Sequence, residues 1–141
     1  MGARLGVAAL SLAIAACGVL EGDRPQLGIA NGTDLPLVVT VTGSNFSSET
    51  QIDAHASTEI DGSRLPSLPW TVEARTRSGR LLVTMVVLPG QVTRTTHPDG
   101  SVEMTGTLGR VDLSCGRLDL WAGAPALGPP PGPGVPGDCA P

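Results

Sequence analysis

Turn-forming residues interrupt this chain of 141 residues at short intervals, and this feature limits its fold more than any other. Glycine occurs 19 times and proline 13 times, which favours turn-rich structure over long helices. Between the interruptions, which come about every eight to twelve residues, apolar residues alternate with polar ones. This period of two is typical of short β-strands joined by turns. The sequence therefore predicts an all-β chain.

The first part of the predicted domain contains two predicted strands, one with a clear alternation of apolar and polar residues and one with a weaker alternation. Residues 37–42 alternate between two faces, and the preceding Asn31-Gly32 indicates a turn. Residues 43–49 are predicted to form a loop, and residues 51–56 a weaker, half-exposed strand. Because residues 57–69 contain two prolines and an Asp-Gly pair, we expect a long irregular connection there.

The second part contains two predicted hairpins. Residues 70–75 and 81–88 flank a Ser-Gly turn, and the latter segment is apolar at every position but one. A strand that is apolar on both faces is typical of the middle of a sheet, so residues 81–88 are predicted to be covered on each side. Residues 91–96 and 101–108 are predicted to pair around Pro98-Asp99-Gly100.

Two similar short strands, 109–113 and 116–120, complete the predicted domain. Residues 27–122 together predict a small antiparallel β-sandwich of about seven or eight strands, with a small open β-barrel as the alternative. From residue 123 to residue 141 the composition changes to seven prolines and five glycines, which predicts an extended C-terminal tail.

The N-terminus has the pattern of an export signal. Arg4 precedes an apolar run from Leu5 to Ala16, which is shorter than the roughly 20 residues of a membrane-spanning helix. The run ends in Ile14-Ala15-Ala16-Cys17, which resembles the lipobox of bacterial lipoproteins. The resemblance implies a signal peptide over residues 1–16 and diacylglycerol attached to Cys17. The alternative is an ordinary cleaved signal whose cysteine is incidental.

Lipidation of Cys17 would attach the protein to a membrane. Two or more acyl chains, at ~0.8 kcal/mol per buried CH₂, anchor a protein durably. Residues 17–26 would then be the lipidated cysteine and a short tether. The resemblance implies a location on the outer face of the cell membrane, or on the outer membrane where the organism has one. The body of the chain is also similar to small uncharacterised bacterial lipoproteins, at Asn31-Gly32-Thr33, Leu68-Pro69-Trp70-Thr71-Val72-Glu73-Ala74 and Ser78-Gly79-Arg80.

With Cys17 assigned to lipid, two cysteines remain, Cys115 and Cys139. Export would place them in an oxidising compartment, where a leftover pair is most simply a structural disulfide. Its closed loop would contribute roughly 3.5 kcal/mol in the chain-entropy model and would hold the tail against the domain. The alternative is a redox-active pair, although such pairs usually lie two residues apart.

The charged residues argue against several classes of function. All nine Lys and Arg positions are arginine, and 13 acidic residues give a net charge of −4, which disfavours nucleic-acid binding. The chain has no lysine for Schiff-base or phosphate-loop chemistry, and it has none of the common nucleophile, zinc or phosphate-loop motifs. We therefore expect no catalytic residues, no cofactor and no metal.

A few side chains nevertheless support the alternative of an envelope enzyme or metal-binding protein. His55 shares a predicted strand face with other polar residues, for which an ordinary solvated surface is the preferred interpretation. Asp112 and Asp119 lie on matching faces of the last two strands and could act as paired carboxylates. Because an arginine lies close to each in the sequence, surface ion pairs are preferred. His97 precedes a predicted turn and is expected to be exposed.

Other side chains are candidates for ligand contact. Arg75, Arg77 and Arg80 surround one predicted hairpin turn, where they could meet lipid phosphates or another anionic polymer. If Leu118 and Leu120 face inward, Trp121 is predicted to face outward, immediately before the proline-rich tail. It is either a stacking platform for a sugar or peptide or, in the preferred interpretation, a surface on which the tail prolines pack.

These features favour a non-catalytic binding or scaffolding module that is anchored to the membrane through diacylglyceryl-Cys17. An envelope protein or a polysaccharide is the expected partner. The alternatives are an envelope enzyme or metal-binding protein that uses surface Asp and His residues, and a purely structural spacer.

Overall fold

A computed structural model describes residues 25–124 and 132–141. The predicted signal peptide, Cys17 and most of the predicted tether lie outside the described residues, as do tail residues 125–131. One turn of 3₁₀ helix spans Gly62–Arg64. The strands are β1 (Leu27–Asn31), β2 (Leu37–Gly43), β3 (Phe46–Ile52), β4 (Ser57–Ile60), β5 (Trp70–Thr76), β6 (Leu81–Val87), β7 (Arg94–Thr96), β8 (Val102–Met104), β9 (Gly106–Leu113) and β10 (Gly116–Gly123).

Eight of these strands form two four-stranded sheets. Sheet A has the order β4-β1-β10-β9, and sheet B has the order β3-β2-β5-β6. Strands β7 and β8 form a separate two-stranded hairpin, and every pairing in the described residues is antiparallel. The predicted antiparallel sandwich is confirmed, and no strand pairing within the described ranges closes it into a barrel.

The core lies between the sheets and is aliphatic except for one tryptophan. In β2 and β5 every second residue is buried along most of the strand, as the alternation in the sequence requires. Trp70 is 1% exposed and donates its indole N–H to the Pro66 carbonyl at 2.7 Å. The largest core side chain therefore has its one polar atom hydrogen-bonded.

The sandwich has two ends, which we name after the predicted tether and the disulfide. At the tether end, β1 begins at Leu27 and β10 ends at Gly123, whose N–H donates to the Gln26 carbonyl at 3.4 Å. At the disulfide end, β1 ends at Asn31 and β10 begins beside Cys115. Because β1 and β10 are antiparallel neighbours, the chain enters the domain at the end opposite Cys115.

The prediction for residues 43–56 is wrong. Residues 43–49 are not a loop, because β2 continues to Gly43 and a two-residue turn leads directly into β3 at Phe46, its register partner. The strand predicted over residues 51–56 ends at Ile52. Strand β3 is an edge strand with one face toward solvent, so hydrogen bonding to β2 stabilises a sequence of low intrinsic strand preference.

The prediction that residues 81–88 form a central, covered strand is also wrong. Strand β6 is the edge of sheet B. Its residues Met85 and Val87 are buried, whereas Leu81 and Val86 are 45% and 49% exposed. The run is therefore more apolar than its position requires, because only one face of the strand packs on the core.

Two further differences concern strand boundaries. The predicted irregular connection 57–69 contains β4, which pairs with β1 at the edge of sheet A. The strand predicted over residues 101–108 is divided at Thr105, whose N–H donates to the Thr93 carbonyl at 2.9 Å. Thr105 thus separates the outlying hairpin from β9 in the sandwich.

Candidate functional site

A buried polar network closes the disulfide end of sheet A. Asn31 is 1% exposed, and its amide nitrogen donates to the carbonyls of Leu35 at 2.8 Å and Asp53 at 3.0 Å. Its amide oxygen accepts from the Thr33 N–H at 3.1 Å and the Thr33 hydroxyl at 2.7 Å. One side chain therefore joins two loops that are distant in sequence.

This network positions His55 next to Asp34. The His55 N–H donates to the Thr33 carbonyl at 3.2 Å, and His55 Nε2 lies 2.5 Å from Asp34 Oδ1. His55 has φ of +58°, in the left-handed region that favours glycine. Both side chains are more than half exposed. His55 thus lies in a turn after β3, and not on the strand face that the sequence predicted.

On the outer face of sheet A, one carboxylate lies between two guanidinium groups. Asp119 Oδ1 accepts from Arg110 Nε at 2.9 Å, and Asp119 Oδ2 accepts from Arg117 Nε at 2.8 Å. Asp119 is only 16% exposed in its side chain, so these contacts are partly shielded from water. The ion-pair interpretation is confirmed for Asp119.

Asp112 and Asp119 have different hydrogen-bond partners. Asp112 Oδ2 accepts from the Gly132 N–H at 3.2 Å, so this carboxylate contacts the backbone of the tail. Since Asp119 is held by two arginines, the two acids lie in different environments. The register places the two acids diagonally on one face of adjacent strands, with Asp112 opposite Arg117 and Asp119 opposite Arg110. A paired-carboxylate role for them stays a prediction.

A shallow cavity of about 380 Å³ connects the Asn31 network with the Asp119 cluster. Its wall is the end of β1 at Ala30–Gly32 together with the side chains of His55, Ser57, Arg117 and Asp119. We refer to it as the polar pocket. It offers guanidinium and imidazole groups beside a hydroxyl and a carboxylate, so it can both donate to and accept from a ligand.

The polar pocket lacks the connected geometry of a nucleophilic site. No hydrogen bond joins Ser57 to His55 in the part of the chain that the structure describes, so His55 and Asp34 form a pair without a third member. The described residues also contain no group of three or more His, Cys, Asp or Glu that could hold a metal ion. The polar side chains that line the pocket can form hydrogen bonds with polar groups of a ligand.

The two remaining cysteines are brought together. Cys115 and Cys139 lie at disulfide-bond distance, with Cα atoms 6.0 Å apart and a sequence separation of 24 residues. The Cys115 N–H also contacts Cys139 Sγ at 3.1 Å. The described end of the tail, residues 132–141, is therefore held against the loop between β9 and β10.

Asp138 adds a second fastening beside the disulfide. Its Oδ1 accepts from the Ser114 hydroxyl at 2.5 Å and the Ser114 N–H at 2.7 Å, while Oδ2 accepts from the Val135 N–H at 2.8 Å. The two bonds from Ser114 lower the pKa of the Asp138 carboxyl from its ordinary value. Arg80 donates to the Asp138 carbonyl.

The three arginines around the β5–β6 turn lie at the disulfide end, and each has an intramolecular partner. Arg75 donates to Glu73 at 3.0 Å, Arg77 lies 3.7 Å from Asp53, and Arg80 contacts Asp138. Anion binding by this turn stays a prediction.

Trp121 faces outward from sheet A, while its neighbours Leu120 and Ala122 are fully buried. Its indole ring lies across Gly28 on the adjacent strand, where an added Cβ would collide with the ring. Gly28 therefore provides the flat surface on which the ring rests. Packing of the tail prolines on Trp121 stays a prediction, and four of the seven prolines lie outside the described residues.

The fold and its site define an antiparallel β-sandwich with a polar pocket and a disulfide-bonded tail. No protein-family model, no curated protein and no solved structure matches this chain. Among the described residues, no helix is long and apolar enough to cross a membrane.

Sequence reasoning missed the network around Asn31 and the partner of His55. It treated Asn31-Gly32 as a turn signal only, although an Asn followed by Thr two positions later also suits a local side-chain to backbone network. The contact between His55 and Asp34 spans 21 positions and has no local signal in the sequence.

Proposed function

We propose that this chain is a cell-envelope lipoprotein, attached to the outer face of a membrane through diacylglyceryl-Cys17, whose sandwich is a non-catalytic binding module. The observation that carries the proposal is the position of the fold relative to the lipobox. Strand β1 begins at Leu27, ten positions after Cys17. Ten residues span at most ~36 Å, so an anchor at Cys17 would keep the sandwich close to the bilayer.

The anchor is tested by replacing the cysteine that would carry the lipid. Cys17→Ser removes the thiol that forms the thioether, so the variant is expected to lose its acyl mass and to leave the membrane fraction. Ala16→Gly is the matched control, because it keeps a small residue in the lipobox and is expected to stay anchored. Intact-protein mass spectrometry and membrane fractionation measure both. A Cys17→Ser protein that stays acylated in the membrane would contradict the anchor.

The polar pocket supports the binding half of the proposal. It lies at the disulfide end, so a sandwich tethered at Leu27 can present it away from the bilayer. Arg117 and His55 supply donors, while Ser57 and Asp119 supply oxygen atoms. This mixture suits a polar envelope molecule such as a polysaccharide that carries peptide or carboxylate groups.

Binding is tested by titrating the isotope-labelled, detergent-solubilised protein with soluble cell-wall glycopeptide fragments and recording amide chemical shifts. Changes are expected at Gly32, His55 and Arg117, with none at Glu49 on sheet B. Arg117→Ala should weaken binding about tenfold, which corresponds to ~1.4 kcal/mol. Arg64→Ala, at the exposed 3₁₀ turn, is the control.

The outcomes of this titration separate the proposed function from its alternatives. Chemical-shift changes confined to the pocket support a binding module. Cleavage of the fragments during the titration would contradict a non-catalytic role. No change with fragments or with envelope extracts would favour a structural spacer.

A further inference from the structure

The tether end of the sandwich carries an apolar surface that the core does not use. Large apolar side chains that are 46–48% exposed occur there at Leu88, Val102 and Met104. Val102 and Met104 belong to β8 of the outlying hairpin, and Leu88 directly follows β6. Exposed apolar surface of this kind is typical of an interaction site.

Hydrogen bonds place these residues beside the point where the chain enters the domain. The Ala124 N–H donates to the Thr105 carbonyl at 3.4 Å, which joins the base of the hairpin to the end of β10. Gln91 accepts from the Leu88 N–H at 2.9 Å and from the Thr105 hydroxyl at 3.1 Å. Since β10 ends next to Gln26, the apolar surface and the tether share one end of the sandwich.

The β7–β8 hairpin has two unlike faces. Val102 and Met104 lie on one face, and the register places Thr96 and Arg94 opposite them. Glu103 lies on the other face, where its carboxylate is 3.1 Å from His97 Nε2. An apolar face of this kind suits the lipid headgroup region, where apolar side chains are buried.

We propose that the apolar face of the β7–β8 hairpin, together with Leu88, lies against the phospholipid bilayer to which Cys17 is attached. The inference rests on the proposed lipid anchor, because the anchor brings this end of the sandwich within reach of the bilayer. The contact would limit rotation of the domain on its tether and would direct the polar pocket away from the membrane.

The charged tip of the hairpin favours contact by the face and not by insertion of the tip. Asp99 accepts from the Ser101 hydroxyl at 2.5 Å and from the Ser101 N–H at 2.8 Å. These bonds lower the pKa of the Asp99 carboxyl, so it stays ionised in water at neutral pH. Burying that charge in hydrocarbon would be costly, whereas the face with Val102 carries no acid.

The test uses the full lipidated protein in vesicles of phosphatidylethanolamine and phosphatidylglycerol that contain acyl-brominated lipid. A single tryptophan is added along β8 in each of three variants, Val102→Trp, Glu103→Trp and Met104→Trp. Quenching of the added tryptophan is the difference between each variant and the parent protein, which has two native tryptophans. Arg77→Trp, at the disulfide end, is the remote control. We expect strong bromine quenching at 102 and 104, weak quenching at 103, and none at 77.

Each outcome decides the inference. Equal quenching along β8, or no more quenching there than at 77, would overturn the face contact while the protein remains on the vesicles. If the face binds a protein partner instead, no quenching is expected, because these vesicles contain no other protein. A variant that does not fold is recognised by the loss of its thermal transition. If either Val102→Trp or Met104→Trp fails to fold, the other still tests the apolar face. Failure of the parent to float with vesicles would refute the anchor and this inference together, before any quenching is measured.

Discussion

The two ends of the sandwich are closed by different means. At the disulfide end, Cys115 and Cys139 are linked, Asp138 binds the backbone and hydroxyl of Ser114, and Asn31 is buried in a polar network. At the tether end, hydrogen bonds at the base of the hairpin hold an exposed apolar surface that includes Met104. Buried polar contacts and a disulfide therefore stabilise the end that carries the pocket, whereas the opposite end leaves apolar side chains such as Met104 about half exposed.

Among changes at the two ends, removing the disulfide is expected to lower the stability of the protein most. Cys139→Ser should lower the free energy of unfolding by roughly 3 to 4 kcal/mol, because the unfolded chain regains the entropy of an open loop. Denaturant unfolding measures this, and wild-type protein in reductant should match the variant. If the loss were below about 1 kcal/mol, the tail would not be what secures the disulfide end.

The next largest effect is expected at the buried network. Asn31→Ala leaves the carbonyls of Leu35 and Asp53 and the Thr33 N–H without their buried partner, which should cost about 2 to 3 kcal/mol. Asn45→Ala, in the exposed β2–β3 turn, is the matched control and should change stability by less than about 0.5 kcal/mol. If both variants lost the same stability, the Asn31 network would not be what stabilises this end.

Sequence patterns predicted the fold class because burial imposes a period of two on a sandwich strand. Strand β2 shows this period clearly, and its alternate residues are buried as expected. Strand β3 was missed because an edge strand with solvent on one face tolerates Ser, Thr and Glu, which are also typical of loops. Strand β6 was misplaced because its apolar residues exceed what its edge position requires.

The candidate site was less accessible from sequence than the fold. The disulfide followed from counting cysteines, and the ion pairs of Asp119 followed from the arginines near it in sequence. The polar pocket did not, because it depends on contacts between distant segments such as that of His55 with Asp34. Pairing between loops is set by the packed sheets, and no local pattern encodes it.

A smaller effect is expected nearer the tether end, on the outer face of sheet A. Gly28→Ala forces the indole ring of Trp121 away from β1, which should cost about 1 to 2 kcal/mol and change the near-ultraviolet circular dichroism. In a protein that already carries Trp121→Ala, Gly28→Ala should cost much less stability, because the colliding ring is absent. The effects of the two substitutions should therefore be non-additive. Additive effects would show that the ring does not rest on Gly28 in solution.

The smallest expected effect is a pH dependence at the disulfide end. Bonds from Ser114 lower the native pKa of Asp138 below its ordinary value of 3.8, so folding is favoured while the carboxylate is charged. That contribution is fully present above the unfolded pKa and is lost as the pH falls through the lower native value.

The melting temperature of Asp138→Asn should therefore lie slightly below that of wild type at pH 7, and the difference should shrink in acid. Because the carboxylate is exposed, solvent screens the interaction and the difference stays small. A difference that grows as the pH falls would contradict this role of Asp138, and the closure of the disulfide end would then depend on the cysteines and Asn31 alone.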